Sequence, residues 1–578
     1  MKRNFHHNLI GISVLPALLI MPAMADTLTE RVVITENTTY TNLTAENIAS
    51  SVANNGGVFY LQDVPDVLLD FDGVTLFQNN SLNNGGMGGV IGNGWLSSVS
   101  GTGFTQGGKI VFNGASTFSG NSTNNTNGGG AIFNYGLGNA TNPDIIFVGK
   151  TTFNNNSVTE STNSVYAGGG AINHRNGMIV FNSDAVFSSN ESASKGGAIM
   201  AAGDMVFNGN AAFTGNTAGQ SGGALALLGG NTYFEGTATF SNNVATGASA
   251  IFLGESADGL SFRDSVTFSG NSGIGTLLNN VASATVEFNN GATFSSNTNN
   301  MNGALVNVGI VNVLGGNLAF TSNTGANGGG LKNTGTVNVD TSGNIVFSGN
   351  TTTSTAGALD NGGTIVFDAS KVSFTNNTSN AGYSGAIFNA GDLTIAAMTN
   401  VFRGNNAKDT GAVKSGGGAI HNRGQIGTAT LVIGTEGATN TFNANKSSAY
   451  GGAIVARAFD GDNANSTVTI NGTTTFSANT AAMDGGAIWN AVAESDGTTG
   501  TSEIVFNGDT TFINNVASGS GGAIFNNDLI TFNGVTKFDS NTANGVANDI
   551  FNDGTMNFND DVTLNGGIDG SGTLNIAA

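Results

Sequence analysis

A chain of 578 residues with 89 Gly, 4 Pro, 37 Phe and only 10% charged residues is neither an ordinary globular enzyme nor a charged disordered tail, because it carries few charges and much to bury. Gly does not recur at every third residue, which excludes collagen. The formal net charge of −21 repels nucleic acid and anionic lipid, and the absence of cysteine leaves stability to be won without disulfides.

The chain opens with Lys2 and Arg3, an apolar run from Leu9 to Ile20, and Ala23-Met24-Ala25 ahead of Asp26. This is the pattern of a secretory signal peptide over residues 1–25, cleaved between Ala25 and Asp26, and it marks the chain for export. Cleavage removes two of the 17 basic residues, so 15 remain against 38 acidic ones, a net charge of −23. No other run approaches the roughly 18–20 apolar residues of a membrane-spanning helix. Residues 26–70 read as an N-terminal cap and first rungs, 71–551 as the repeat array, and 552–578 as the last rungs.

Two motifs alternate through the array. The first is Phe-x-x-Asn, as in Phe118 to Asn121, Phe187 to Asn190, Phe213 to Asn216, Phe268 to Asn271, Phe294 to Asn297, Phe476 to Asn479 and Phe512 to Asn515; it occurs 16 times from Phe77 to Phe538. The second is Gly-Gly-Ala-Ile or a relative, as in Gly196-Gly197-Ala198-Ile199, Gly451-Gly452-Ala453-Ile454, Gly485-Gly486-Ala487-Ile488 and Gly521-Gly522-Ala523-Ile524. From Phe187 to Phe402 the motif phenylalanines stand 26, 27, 28, 26, 26, 27, 27 and 28 residues apart, whereas other stretches lengthen to as much as 41. A fixed minimum with variable excess is one structural rung carrying loops of different length.

A second Phe often precedes the first by six residues, for example Phe112, Phe147, Phe181 and Phe207. Each unit then reads as three short strands separated by Gly and Asn bends, since these two residues tolerate positive φ most easily. No segment sustains a helical stripe. The expected fold is all-β, a right-handed single-stranded parallel β-helix of about 17 rungs of roughly 26–28 residues, with loop insertions. Like positions would then stack about 4.8 Å apart, giving two Phe columns as core and an Asn ladder at the bend.

At these residues the chain resembles the repeats of the chlamydial polymorphic outer-membrane proteins and related autotransporter passengers, over about residues 71–551. The resemblance implies a β-helical passenger exposed at the surface of a Gram-negative envelope, often adhesive, with both motifs linked to adhesion. It implies as partners proteins or glycans of host or neighbouring cells, and an outer-membrane translocator. Two departures stand out: the cysteines common in the chlamydial proteins are missing, and the sequence ends at Leu574-Asn575-Ile576-Ala577-Ala578 where such passengers run into a membrane barrel. The expectation is a truncated gene product, a released rod, or one held by a separate protein.

Three functions stay open: a surface adhesin or interaction rod, a polysaccharide-acting enzyme, and a structural envelope or matrix component. For the enzyme the best local cluster is Glu235, Glu255, Asp258, Arg263, Asp264 and Glu287, from successive rungs; the plainer reading is solvated surface charge. His174 and His421, in the similar contexts Ile172-Asn173-His174-Arg175 and Ile420-His421-Asn422-Arg423, lie many rungs apart and read as exposed turn residues. Asp460-Gly461-Asp462-Asn463 reads as a solvated loop tip, and Gly128-Gly129-Gly130 as a turn, since it lacks a phosphate loop's Gly-Lys-Ser/Thr ending. No catalytic residue, cofactor or metal is expected. Recognition is expected on the insertions at 134–150, 157–168, 406–416, 424–440, 455–469 and 491–503, where variable loops leave a rigid scaffold.

Overall fold

The computed structural model describes residues 107–577 except 142, 409–415, 425–426, 459–463 and 493–499, together with short segments between residues 32 and 105. The signal-peptide reading of residues 1–25 and the Asp460 loop tip fall outside the described residues. Those described form a parallel β-helix without any α-helix.

One rung of the regular middle shows why. The motif strand Val266–Ser269 ends at Gly270, which takes φ +64°, and Asn271 follows at the corner. A two-residue strand, Ser272–Gly273, leads into Gly275–Asn279, here called the Ile strand after its usual inward residue. The strand Thr285–Phe288, carrying the earlier Phe, completes the turn. Each strand pairs in parallel and in register with its equivalent one rung on, as in Phe268 with Phe294, Leu277 with Leu305 and Phe262 with Phe288. The two-residue strand is an addition to the three that the sequence predicts. It exists because the left-handed residue before each Asn turns the chain sharply, leaving room for just two extended residues whose inward side chain is small, as with Ala218, Ala481 and Ala517.

The predicted core is present. The motif phenylalanines, Phe118, Phe187, Phe213, Phe268, Phe294, Phe476 and Phe512 among them, are fully buried and stack rung on rung at 4.6–5.4 Å between ring centroids. The earlier-Phe column packs edge-on against it, as where Phe288 meets Phe294 at 6.3 Å and 86°. That second column is not aromatic throughout: Val313, Val339, Ile395, Ile433 and Ile470 fill it in some rungs. Burying each ring contributes roughly 1.5–3 kcal/mol by area.

The Asn of every motif is buried and forms a continuous ladder. Asn271 Nδ2 donates to Asn297 Oδ1 at 2.9 Å and to the Phe240 carbonyl at 3.0 Å, while its backbone N–H donates to the same Asn297 Oδ1 at 3.0 Å. The same three bonds recur at Asn121, Asn190, Asn216, Asn297, Asn479 and Asn515. At Asn541 the next acceptor is Asp549, a fully buried carboxylate that also receives the Gly566 N–H at 2.6 Å.

The glycine pair has a steric cause. A Cβ on the second glycine of each tetrad would lie about 2 Å from the carbonyl oxygen of its counterpart one rung on: 2.0 Å for Gly197 against Gly223, 2.1 Å for Gly452 against Gly486, and 2.0 Å for Gly486 against Gly522. At these glycines the next rung comes too close for a side chain, although Ser249 and Asn548 occupy the equivalent position in two other rungs. Ala198, Ala453, Ala487 and Ala523, followed by Ile199, Ile454, Ile488 and Ile524, then turn inward and are fully buried.

Candidate recognition surface

The Phe, Asn, Ala and Ile of both motifs are inside the rod, so none can touch a partner. Their relation to recognition is indirect: they hold the scaffold, and any contact surface is built by what points outward.

The richest outward surface follows the Ile strands. The residue after each Ile points away from the core, yet the turn before the glycine pair folds over it. Around the insertions this outer column reads Phe388, His421, Val455, Trp489, Phe525 and Phe551 in successive rungs. Tyr450 lies over Trp489 with centroids 5.0 Å apart; Trp489 and Phe525 follow at 6.2 Å, and Phe525 and Phe551 at 5.1 Å. Tyr450, Trp489 and Phe525, with Asp484, Ala491, Val492 and Asn527, line an open groove of about 170 Å³. Asp484 Oδ1 accepts the Ser520 N–H at 2.7 Å, which fixes the carboxylate at the groove wall. The exposed lining is mixed aromatic and polar, from Tyr450, Asp484, Val492, Phe525 and Asn527, with Trp489 and Ala491 buried beneath it.

Next to this groove lie His421, Arg423 and Arg457. Arg423 and Arg457 are register partners in adjacent rungs, both largely buried, and the Arg423 guanidinium sits 5.1 Å over the Tyr383 ring. Burial first, then the two guanidiniums, hold His421 well below the ordinary histidine range; the Tyr383 main chain partly offsets this. Its ring is packed edge-on against Phe388 at 5.6 Å and Tyr383 at 5.9 Å.

Both histidines depart from expectation: His174 and His421 are completely buried, not exposed in turns. Their similar contexts differ by one residue, and that shift changes their surroundings. His174 is the second residue after Ile172 and takes a place in an amide ladder, where Asn134 Nδ2 meets its Nδ1 at 3.0 Å and its Nε2 meets the Asp204 carbonyl at 3.0 Å. Donation from Nε2–H to that carbonyl leaves Nδ1 as acceptor. His421 immediately follows Ile420 and faces outward. The arginine that comes third after each Ile keeps one role: Arg175 stacks over Tyr166, and Arg423 over Tyr383, each at 5.1 Å.

His174 also reveals a feature that the sequence reading missed. A second amide ladder runs along the Ile strands through Asn279, Asn307, Asn333, Asn361, Asn389 and Asn422, with side-chain bonds of 2.7–3.0 Å. The signal was an Asn two residues after the inward Leu or Ile, repeating at the rung period.

The acidic cluster does not form a catalytic pair. Glu235, Glu255, Asp258 and Arg263 are exposed, and within the six the ion pair is Arg263 Nε to Glu235 Oε1 at 4.0 Å between two solvated side chains. Asp264 accepts from the Ser265 N–H and the Asn290 amide, which hold its carboxyl below the ordinary range. Glu287 lies on the outer side of its strand beside Ser261. A glycosidase acid needs the opposite shift. Among the described residues no group of three or more His, Asp or Glu could hold a metal ion.

Three stretches match the family model described as the Chlamydia polymorphic membrane protein repeat: residues 184–202, 473–491 and 509–527. Each spans one Phe-x-x-Asn, the following turn and one Gly-Gly-Ala-Ile, that is, the motif corner and the start of the Ile strand described above. The chain is thus a parallel β-helix carrying polymorphic membrane protein-type repeats, and two of the matched stretches contain Trp489 and Phe525 of the groove. These repeats and this fold fit a surface, autotransporter-passenger-like protein. No curated protein and no solved structure gives a significant match.

Proposed function

We propose that this chain is an exported, surface-exposed β-helical rod that acts as an adhesin or interaction scaffold. The groove carries the reading, because it places the partly exposed Tyr450, Asp484, Phe525 and Asn527 on a rigid face over the buried Trp489, beside the segments between Ala458 and Ser466 and between Val492 and Ser502. The matched repeat, named for a membrane protein of a Gram-negative bacterium, supports placement at an outer-membrane surface. In this reading the partners are proteins or glycans of a host or neighbouring cell, and an outer-membrane translocator presents the rod. The acidic exterior favours neutral or cationic ligands over anionic ones.

The test is binding of the purified rod to cells and to an array of immobilised glycans, with Phe525→Ala, which truncates a partly exposed ring of the groove, and a variant in which residues 493–499 are replaced by a short Gly-Ser turn. Binding is expected to fall at least tenfold in one or both, with the melting temperature of the loop variant unchanged. Full binding by both variants overturns the assignment of this groove. Absence of any ligand favours the structural envelope reading.

A further inference from the structure

The sheet formed by the motif-Phe strands has an outer face unlike the rest of the exterior. Two residues of each strand point outward, forming two columns that run from Leu76 and Gln78 to Thr511 and Ile513. Across these 15 rungs the columns consist of Thr, Ser, Val, Ala and other uncharged residues, with Arg403 the one charge. The sheet beside it, built on the earlier-Phe strands, carries Lys109, Asp204, Glu287, Asp392 and Glu503 on its outward positions.

The borders of the neutral face are also unusually constant. On one side the motif strand always runs through a left-handed residue to the ladder Asn without insertion. On the other, the step from the earlier-Phe position to the motif Phe varies only from six residues, as at Phe112 to Phe118, to nine, at Ile433 to Phe442. The long insertions all leave from the other corners. A face about 65–70 Å long is therefore left free of long loops and nearly free of charge, with Arg403 on it, Lys371 at its border, and Lys537 and Asp539 closing it in the next rung.

We propose that this neutral Thr/Ser face binds a second copy of the same chain, packing two rods side by side. Three properties select this occupant. With a net charge of −21, two copies repel wherever charged surfaces meet, and this face is where that repulsion is weakest. Its hydroxyls donate and accept equally well, as in the 3.0 Å contact of Thr214 Oγ1 with Ser241 Oγ, so they can pair with themselves across a two-fold axis. Another β-helix of the same rung pitch matches them at every rung. Two columns about 7 Å apart, with their side-chain margins, cover roughly 800 Å² per copy, the size of a standard stable interface. The contact leaves the aromatic groove on another side of the rod and does not depend on it.

Sedimentation equilibrium of the full chain tests this, using a face variant, Thr239→Glu/Thr267→Glu/Thr293→Glu, and a control on the adjacent sheet, Val180→Glu/Val206→Glu/Thr394→Glu. The native chain is expected to dimerise with an affinity that tightens as salt is raised, since screening weakens the repulsion between the two acidic copies. The face variant should weaken association at least tenfold, the control less than threefold, with both melting like the native chain. A native chain that stays monomeric at about 100 µM and moderate salt, or equal weakening by face and control variants, overturns the proposal. Should the face variant unfold, single Thr267→Cys and Val206→Cys variants of this cysteine-free chain replace it. A bifunctional thiol crosslinker then has to join copies through residue 267 and not through residue 206, and any other pattern overturns it.

Discussion

Residues 187–402 and 402–512 are built on the same inner rung and differ almost wholly outside it. In the first stretch the motif phenylalanines recur every 26–28 residues; in the second the steps are 40, 34 and 36. The rings do not register the difference: Phe320 to Phe347 is 4.7 Å, while Phe402 to Phe442 and Phe442 to Phe476 are each 4.6 Å. Extra residues leave at a corner and return to the same stacking position, so insertions cost little beyond loop closure. The irregular stretch holds Tyr450, Asp484 and Trp489 of the aromatic groove, the Arg423 and Arg457 pair and buried His421. The scaffold is therefore uniform, and specificity is added to its exterior.

If the inner rung is the same in both stretches, truncating its ring should cost the same in both. Phe294→Ala and Phe476→Ala, each removing a fully buried ring from between two stacked neighbours, are expected to lose about 3–5 kcal/mol apiece by chemical denaturation. A loss below about 1 kcal/mol at either site would mean that the column is not the core there.

Acid should separate the two regions instead. His421 lies in the second stretch and His174 in the loop-bearing rungs before residue 187, whereas the regular stretch between 187 and 402 has no histidine. Burial lowers His174 to about 4, whereas the unfolded chain takes up that proton near 6.5. The stabilising difference is complete above pH 6.5 and is lost as the pH falls toward 4, about 3 kcal/mol for this site. His421 is shifted in the same direction. Hydrogen exchange between pH 7 and pH 4 should show the rungs around 174 and 421 opening before those around 294, and His174→Asn should flatten the dependence at its own rung.

The ladder sharpens the comparison further. Asn271→Ala and Asn445→Ala each remove the acceptor of two buried N–H groups of the preceding Asn, and each should cost about 2–3 kcal/mol. The smallest effect has the opposite sign. Ala444 and Ala478, in the loop-bearing stretch, sit at φ +54°, a position that the regular stretch fills with Gly at 270 and 349 and with Ser or Asn at Ser189, Asn242, Ser296, Ser322 and Asn376. Replacing either alanine by Gly should raise stability by up to about 1 kcal/mol, relief of left-handed strain outweighing the extra entropy of unfolded Gly.

Much of this was legible in the sequence because a β-helix repeats its own evidence. Phe294 and Asn297 were identified as core and ladder from spacing alone, and the Gly-Gly-Ala pattern marked a corner. The outer column was not legible. Alternation along a strand says that Trp489 and His421 point away from the core, and pointing outward is ordinarily exposure; the turn bearing Tyr450 or Tyr383 covers them instead. Asn307 and Asn333 were equally periodic, but no longer motif drew attention to them. The one-residue offset between His174 and His421 was visible in the sequence, and it acquired meaning only when register assigned one to a ladder and the other to the outer column.

The motif ladder also has electrical polarity. Every side-chain amide from Asn80 to Asn515 donates toward the next rung in chain order, so the small dipoles of the column lie head to tail, as peptide dipoles do in a helix. Its positive end points along the rod toward Asn541, and there the chain sets the carboxylate of Asp549. A charge without solvent exposure, which would be costly in isolation, is placed where an aligned row of N–H groups terminates. Asp549 is in this sense a counter-ion built into the sequence, closing a sixteen-residue wire of amides.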